Sequence, residues 1–381
     1  MKPVRLFTFA ALSCAFTSIG TAEETVAPPD ERPVVQLAIL LDNSGSMNGL
    51  IEQAKSQLWS IVNEFIAAKQ GGKSPRVQVA LFEYGVNDLP GKDGFIRKLS
   101  DLTDDLDKLS EQLFAISTRV SGSEEYCGWV IRDAVEQLKW DPSSKTYKAI
   151  FIAGNEPFTQ GPIAYQSSCK SAITKGIIVN TIHCGNEAQG IAGMWRDGAA
   201  LSDGKFLIID HNARVAAIAA PQDKEIAELN GKLNDTYLGY GSLAPAAKAR
   251  QMQQDTNAAA TSAPTTAVAG RALSKASANY YNGAWDLVDR AKQKDFDLSK
   301  IKDEDLPEEM RKMSPAERKE YLAKKTEERA DVQRRITSLV KEREAYVAEK
   351  MKSESKESVF GKAVTTAIRE QAATKGVTFE K

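Results

Sequence analysis

Apolar runs alternate with amphipathic stretches along residues 34–219. Val34–Leu41 is almost continuously apolar, as in a strand covered on both faces. It runs into the polar loop Asp42-Asn43-Ser44-Gly45-Ser46-Met47. Leu50, Ile51, Ala54, Leu58, Ile61, Val62 and Phe65 then recur at helical spacing. The same alternation continues downstream. Strands are predicted at Val77–Tyr84, Gly94–Leu99, Ala149–Ala153, Ile177–His183 and Phe206–Asp210. Helices are predicted at Leu102–Phe114, Tyr126–Trp140 and Ala164–Lys175, the last closed by Gly176. Strands alternating with helices imply an α/β fold: a doubly wound, mostly parallel sheet with helices on both faces. Such sheets bind ligands at the carboxyl ends of their strands. The loops after Leu41 and Ala153 belong to that edge.

Beyond about Ala219 the strand pattern stops, and residues 220–381 read as a helical region. Residues 222–256 carry Ile226, Leu229 and Leu233 at helical spacing, then a turn at Tyr237–Gly241. Residues 257–269 are rich in Ala, Thr and Pro and read as a flexible linker. Residues 272–293 read as helix. Ser314-Pro315-Ala316-Glu317 has the pattern of a capping box with Pro at the first helical position. The helix it opens extends to about Met351. Its seam of Val332, Ile336, Leu339, Val340, Arg343 and Val347 fits packing on a neighbouring helix, or a coiled coil with a partner or a second copy. A last helix covers about Ser358–Thr374.

The first residues change the picture of where the chain works. Lys2 and Arg5 precede a mainly apolar stretch, Leu6–Ile19, and Gly20-Thr21-Ala22 is a small-x-small cleavage pattern. Residues 1–22 therefore read as a signal peptide cut after about Ala22, and 23–33 as a Pro- and acid-rich arm. The expected location is the periplasm or the exterior, with no transmembrane segment left after cleavage. Among 381 residues, 50 Lys and Arg face 51 Asp and Glu, for a net charge of -1. That balance gives no electrostatic case for nucleic acid. The charge blocks at 308–357 are mixed in sign and read as a solvated helix face.

The candidate chemistry sits in the first loop. Hard divalent cations prefer oxygen donors. In Asp42-x-Ser44-x-Ser46, a turn at a strand end can aim one carboxylate and two hydroxyls into a small volume, and Gly45 permits the sharp bend. With its flanking strand and helix, this segment resembles the metal-ion-dependent adhesion site of von Willebrand factor A (vWA) domains. The resemblance spans about residues 34–215 and sets the expected vWA-like domain at 34–219. It implies Mg²⁺, or another divalent cation such as Mn²⁺ or Ca²⁺, with an open coordination position for a carboxylate of a protein partner. The family adds a Thr from a second loop. Here Ser123 is the candidate, with Ser121 or Thr118 as alternatives. The family also places an Asp after the central strand, where this sequence has Gly154. Asn155 or Glu156 could substitute, and Glu156 is the candidate for the missing charge.

Cys127, Cys169 and Cys184 remain after signal cleavage, and export permits a disulfide. A Cys127–Cys184 pair is expected to brace the metal loops, with Cys169 left as a buried thiol. Adjacent His183 and Cys184 point to opposite faces of a strand, which argues against a base and nucleophile pair. His211 is expected in a loop. Trp129, Trp140 and Trp195 read as core or rim aromatics. Glu124 and Glu125, at the start of a helix, read first as partners of its positive end and second as outer-shell groups of the metal site.

The expectation is an adhesion or protein-binding module with no catalytic residues. The alternative is a structural or assembly scaffold with a degenerate metal loop, acting through its C-terminal helices. A Lewis-acid enzyme would need a general base near the ion, and only Glu124, Glu125 and Glu156 are within loop reach.

Overall fold

Strand β1 (Val34–Asp42) is the spine of a six-stranded sheet. In this computed structural model it lies between β3 (Arg76–Tyr84) and β5 (Tyr147–Gly154), parallel to both. β6 (Ile178–Cys184) and β7 (Phe206–Ile209) extend the parallel sheet on one side. β4 (Arg97–Thr103) closes the other side, antiparallel and with irregular register. The structure describes residues 32–379 except 49, 66, 67, 87, 119–123, 210–217, 262, 263 and 355–358. The expected signal peptide, the expected arm up to Glu31, Ser121, Ser123 and His211 lie outside the described residues.

Counted along the sheet, the strands run β4-β3-β1-β5-β6-β7. This is the doubly wound order, whose direction of winding reverses between β1 and β5. Alternation on β1 feeds two cores. Val35, Leu37, Ile39 and Leu41 face one layer, packed against α1 (Ile51–Glu64), α2 (Leu106–Ala115) and α12 (Val359–Ala373). Ala38 and Leu40 face the other, packed against α3 (Cys127–Gln137), α4 (Tyr165–Thr174) and Trp195. Full burial of both faces explains why β1 and β5 are almost wholly apolar, with only Gln36 and Lys148 breaking the runs before the strand ends. The short helices α5 (Glu187–Ala192) and α6 (Trp195–Ala200) lie between β6 and β7.

Three places in the helical region correct its sequence pattern or decide between its readings. The expected linker at 257–269 is largely helix. α8 runs Ala244–Ala259 and α9 runs Pro264–Ala276. Alanine's high helix propensity and a proline in the first turn outweigh the loop-like composition. The helix expected at 272–293 therefore begins earlier and breaks, leaving only the four-residue α10 (Leu287–Arg290) near its end.

The second is the seam of α11 (Pro315–Glu354), where the expected packing on a neighbouring helix is what forms. Ile336, Leu339, Val340 and Arg343 are buried inside the chain, where α11 packs on α7 (Asp223–Asn234) and α9. That seam is not available for a coiled coil with another chain. Ser314 and Glu317 do form the reciprocal cap, the Ser314 N–H donating to Glu317 Oε2 at 2.7 Å.

The third is α12, which rejoins the sheet. Ile368 and Ala372 lie in the β1 core, and Gln371 bonds both Tyr147 of β5 and Asn180 of β6. β8 (Val377–Phe379) then pairs antiparallel with β2 (Ala68–Gln70). Helices α7–α11 thus stand between β7 and the helix that covers it. A buried polar cluster ties them to the α/β layers. Arg271 of α9 reaches Asp107 of α2 at 2.5 Å and Asp255 of α8 at 2.8 Å. Lys275 also reaches Asp255, at 2.8 Å.

Candidate metal site

The β1–β5 switch point delivers two chain ends to one place. Leu41 pairs with Ala153, so Asp42 and Gly154 leave the sheet side by side. From Gly45 to Met47 the chain makes one tight helical turn, closed by the Met47 N–H bonding Ser44 O. The Ser44 N–H donates to Asp42 Oδ1 at 2.8 Å. The Ser44 and Ser46 hydroxyls lie 2.9 Å apart, and Ser46 Oγ donates to Asn155 Oδ1 at 3.1 Å. Asp42, Ser44 and Ser46 are therefore brought together as expected, with Asn155 of the β5 loop beside them.

The loop is pinned from below. Asn43 Nδ2 donates to Glu83 Oε2 at 2.9 Å, and the Asn43 N–H bonds Tyr84 O. Glu83 is itself paired with Arg97 of β4. Asp42, Asn43 and Ser44 are buried, whereas Ser46 is exposed and Asn155 and Glu156 are half-buried. The floor of the site is thus closed and its lip faces solvent.

Electrostatically the floor is strained. Asp42 Oδ2 is buried with no hydrogen-bond partner. Burial pushes the Asp42 carboxyl up to about 7. The Ser44 and Asn155 contacts oppose that rise and the Glu156 charge adds to it. Glu125, just ahead of α3, is 1% exposed, and neither of its carboxylate oxygens has a hydrogen-bond partner. Burial, then repulsion from Asp42 and Glu156, also carries it up to about 7. Sequence reasoning gave Glu125 as a partner of the helix start or as an outer-shell group, and did not foresee its burial beside Asp42. An acid ahead of a helix carries the same pattern whether it faces solvent or a buried site.

Among the described residues, no three His, Cys, Asp or Glu side chains form a metal-binding group. The donor set on offer is different in kind: serine hydroxyls with the Asp42 carboxylate. Unpartnered buried carboxylate oxygen beside hydroxyls suits a hard cation. Glu156 lies close enough to Asp42 and Glu125 to repel both, and its carbonyl accepts from Trp195 Nε1 at 2.8 Å.

Among the described residues the cysteines are not paired. Cys127, Cys169 and Cys184 are free and buried. Cys184 lies in the β1–α1 core and Cys127 in the opposite one, so the sheet separates them. Cys127 Sγ instead lies 3.8 Å from the Tyr84 hydroxyl. His183 is packed against Trp195 with both ring nitrogens unpartnered, and Trp195 is core. Trp129 stacks on Tyr126 at the rim, and Trp140 is half-buried.

The mostly parallel order with an antiparallel β4 edge, and the Asp-x-Ser-x-Ser loop at its switch point, fix the architecture. The α/β layers have the doubly wound order expected from the resemblance to vWA domains. No protein-family model matches the sequence, and no characterised protein matches it significantly. Solved structures do resemble it. BatB from Bacteroides thetaiotaomicron, described as a conserved hypothetical protein, is 18% identical with a TM-score of 0.37, over 46% of this chain and 90% of that one. The SpRpn10 VWA domain is 19% identical with a TM-score of 0.35, over 48% and 91%. Proximal thread matrix protein 1 from the mussel byssus, with a zinc-occupied MIDAS motif, is 13% identical with a TM-score of 0.35, over 48% and 43%. Likenesses of this strength carry nothing about the site, which rests on its own geometry. Among the described residues no helix is long and apolar enough to cross a membrane.

Proposed function

We propose that this chain is a metal-dependent protein-binding module of the cell envelope or exterior. Asp42, Ser44 and Ser46 hold Mg²⁺, or Mn²⁺ or Ca²⁺, with Ser123 and Glu156 as further candidates from the neighbouring loops. The ion's remaining position takes a carboxylate from a protein partner. The observation that carries this reading is Asp42 Oδ2, buried without a partner beneath two hydroxyls 2.9 Å apart at the switch point. A bound dication would supply the partner that this oxygen lacks, and the exposed Ser46 side leaves a route for a ligand. The proposed activity is binding rather than turnover, and export follows from the expected signal peptide.

The test is a pull-down from envelope extract with Mg²⁺ and with EDTA, using wild type and Asp42→Ala. A partner retained in Mg²⁺ and lost in both EDTA and the variant supports the reading. A partner held equally in all conditions contradicts it.

A further inference from the structure

Glu125 has no ordinary structural role. An acid at a helix start usually faces solvent or accepts from the first backbone N–H groups. Glu125 does neither: it is buried, and both carboxylate oxygens lack a hydrogen-bond donor. Its backbone is nonetheless firmly placed. The Glu125 N–H donates to Gln160 Oε1 at 2.9 Å, and the Glu125 carbonyl accepts from the Cys127 N–H at 3.0 Å.

Its side chain points into the serine loop. Gly85, in the left-handed region at φ +69°, marks the meeting point. A Cβ built there would stand 2.9 Å from Asp42 Oδ1, 3.0 Å from Glu125 Cγ and 3.4 Å from Ser44 Cβ. Two segments distant in sequence thus crowd around one backbone position that carries no side chain. Two buried carboxylates face the same small volume. Across the site, Gly154 cannot supply the acid expected after β5. A Cβ there would collide with the Tyr84 hydroxyl and stand 3.1 Å from Asp42 Oδ2.

We propose that Glu125 is a direct carboxylate ligand of the divalent cation, taking the place of the acid that Gly154 excludes. This rests on the metal reading of the Asp42–Ser44 loop. It assigns the second negative charge to the loop before α3 rather than to the loop after β5. Glu156, half-buried at the lip, then serves the mouth of the site and not its floor.

Calorimetric titration of the purified protein with MnCl₂ and with MgCl₂ tests this, alongside thermal melts without metal. Glu125→Gln keeps size and burial but removes the charge. Losing an outer-shell partner typically weakens a metal site about 10–100-fold, so losing a direct ligand is expected to weaken Mn²⁺ binding by about 100-fold or more. The same variant is expected to melt higher than wild type in EDTA, because it relieves the repulsion with Asp42. Glu125→Asp, which keeps the charge, is expected to retain more affinity than Glu125→Gln. Mn²⁺ affinity in Glu125→Gln within about threefold of wild type, with binding lost in Asp42→Asn, overturns the role of Glu125 and leaves the metal site standing. Absence of Mn²⁺ and Mg²⁺ binding in wild type overturns both.

Discussion

Gly154 and Asp42 leave adjacent strands so close together that a Cβ on Gly154 would stand 3.1 Å from both Cβ and Oδ2 of Asp42. The departure from the family pattern at this position is therefore steric. The wall of the site has no room for any side chain, because Tyr84, whose hydroxyl bonds Ala153 O at 3.0 Å, fills the remaining space. Gly154→Ala is expected to destabilise the protein by about 1–3 kcal/mol, the usual cost of overpacking a filled interior. Gly154→Asp, which restores the family's residue type, is expected to cost more and not to strengthen Mg²⁺ binding. Urea denaturation and metal titration of the two variants check this. A Gly154→Asp protein that is stable and binds more tightly contradicts it.

His183 should make stability depend on pH. Burial without a partner pushes its imidazole down to about 4, while in the unfolded chain it titrates near 6.5. Between those values the unfolded state binds more protons than the native state. Stability is full above about pH 6.5 and falls as pH drops toward 4. His183→Leu is expected to flatten that part of the profile. Denaturant midpoints at pH 7 and pH 4.5 that differ as much in the variant as in wild type would rule it out.

Arg271 joins α9 to α2 and α8 through Asp107 and Asp255, at 4% exposure. Arg271→Ala leaves Asp107 buried and without its cation, and is expected to cost about 3–5 kcal/mol. The loss is read from urea unfolding. A change below about 1 kcal/mol would mean that Arg271 contributes little to holding these helices on the α/β layers.

The three thiols should stay apart in solution. Non-reducing peptide mapping is expected to find Cys127, Cys169 and Cys184 unpaired, each alkylated only after unfolding, since burial also pushes the thiols up. A Cys127–Cys184 peptide would contradict the placement of the two residues on opposite faces of the sheet.

The sheet and its first loop were legible because both leave local marks. Val34–Leu41 announces a doubly covered strand, and Asp42, Ser44 and Ser46 announce an oxygen-rich turn, without reference to the rest of the chain. What was not legible depended on contacts distant in sequence. Periodicity shows that α12 has an apolar face but not that Ile368 covers β1 and β5. Composition made 257–269 resemble a linker, whereas Pro264 opens a helix. Cysteine spacing cannot say which side of a sheet each thiol occupies. Glu125 looked like a helix-start acid, because its burial is set by β3 and by the loop after β5, far away along the chain.

The account depends most on a cation seated at Asp42. Calorimetric titration of wild type and Asp42→Asn with Mn²⁺ tests it most directly. One ion bound per wild-type chain, and none by the variant at the same concentrations, is the result expected. Equal binding by both proteins would contradict the account.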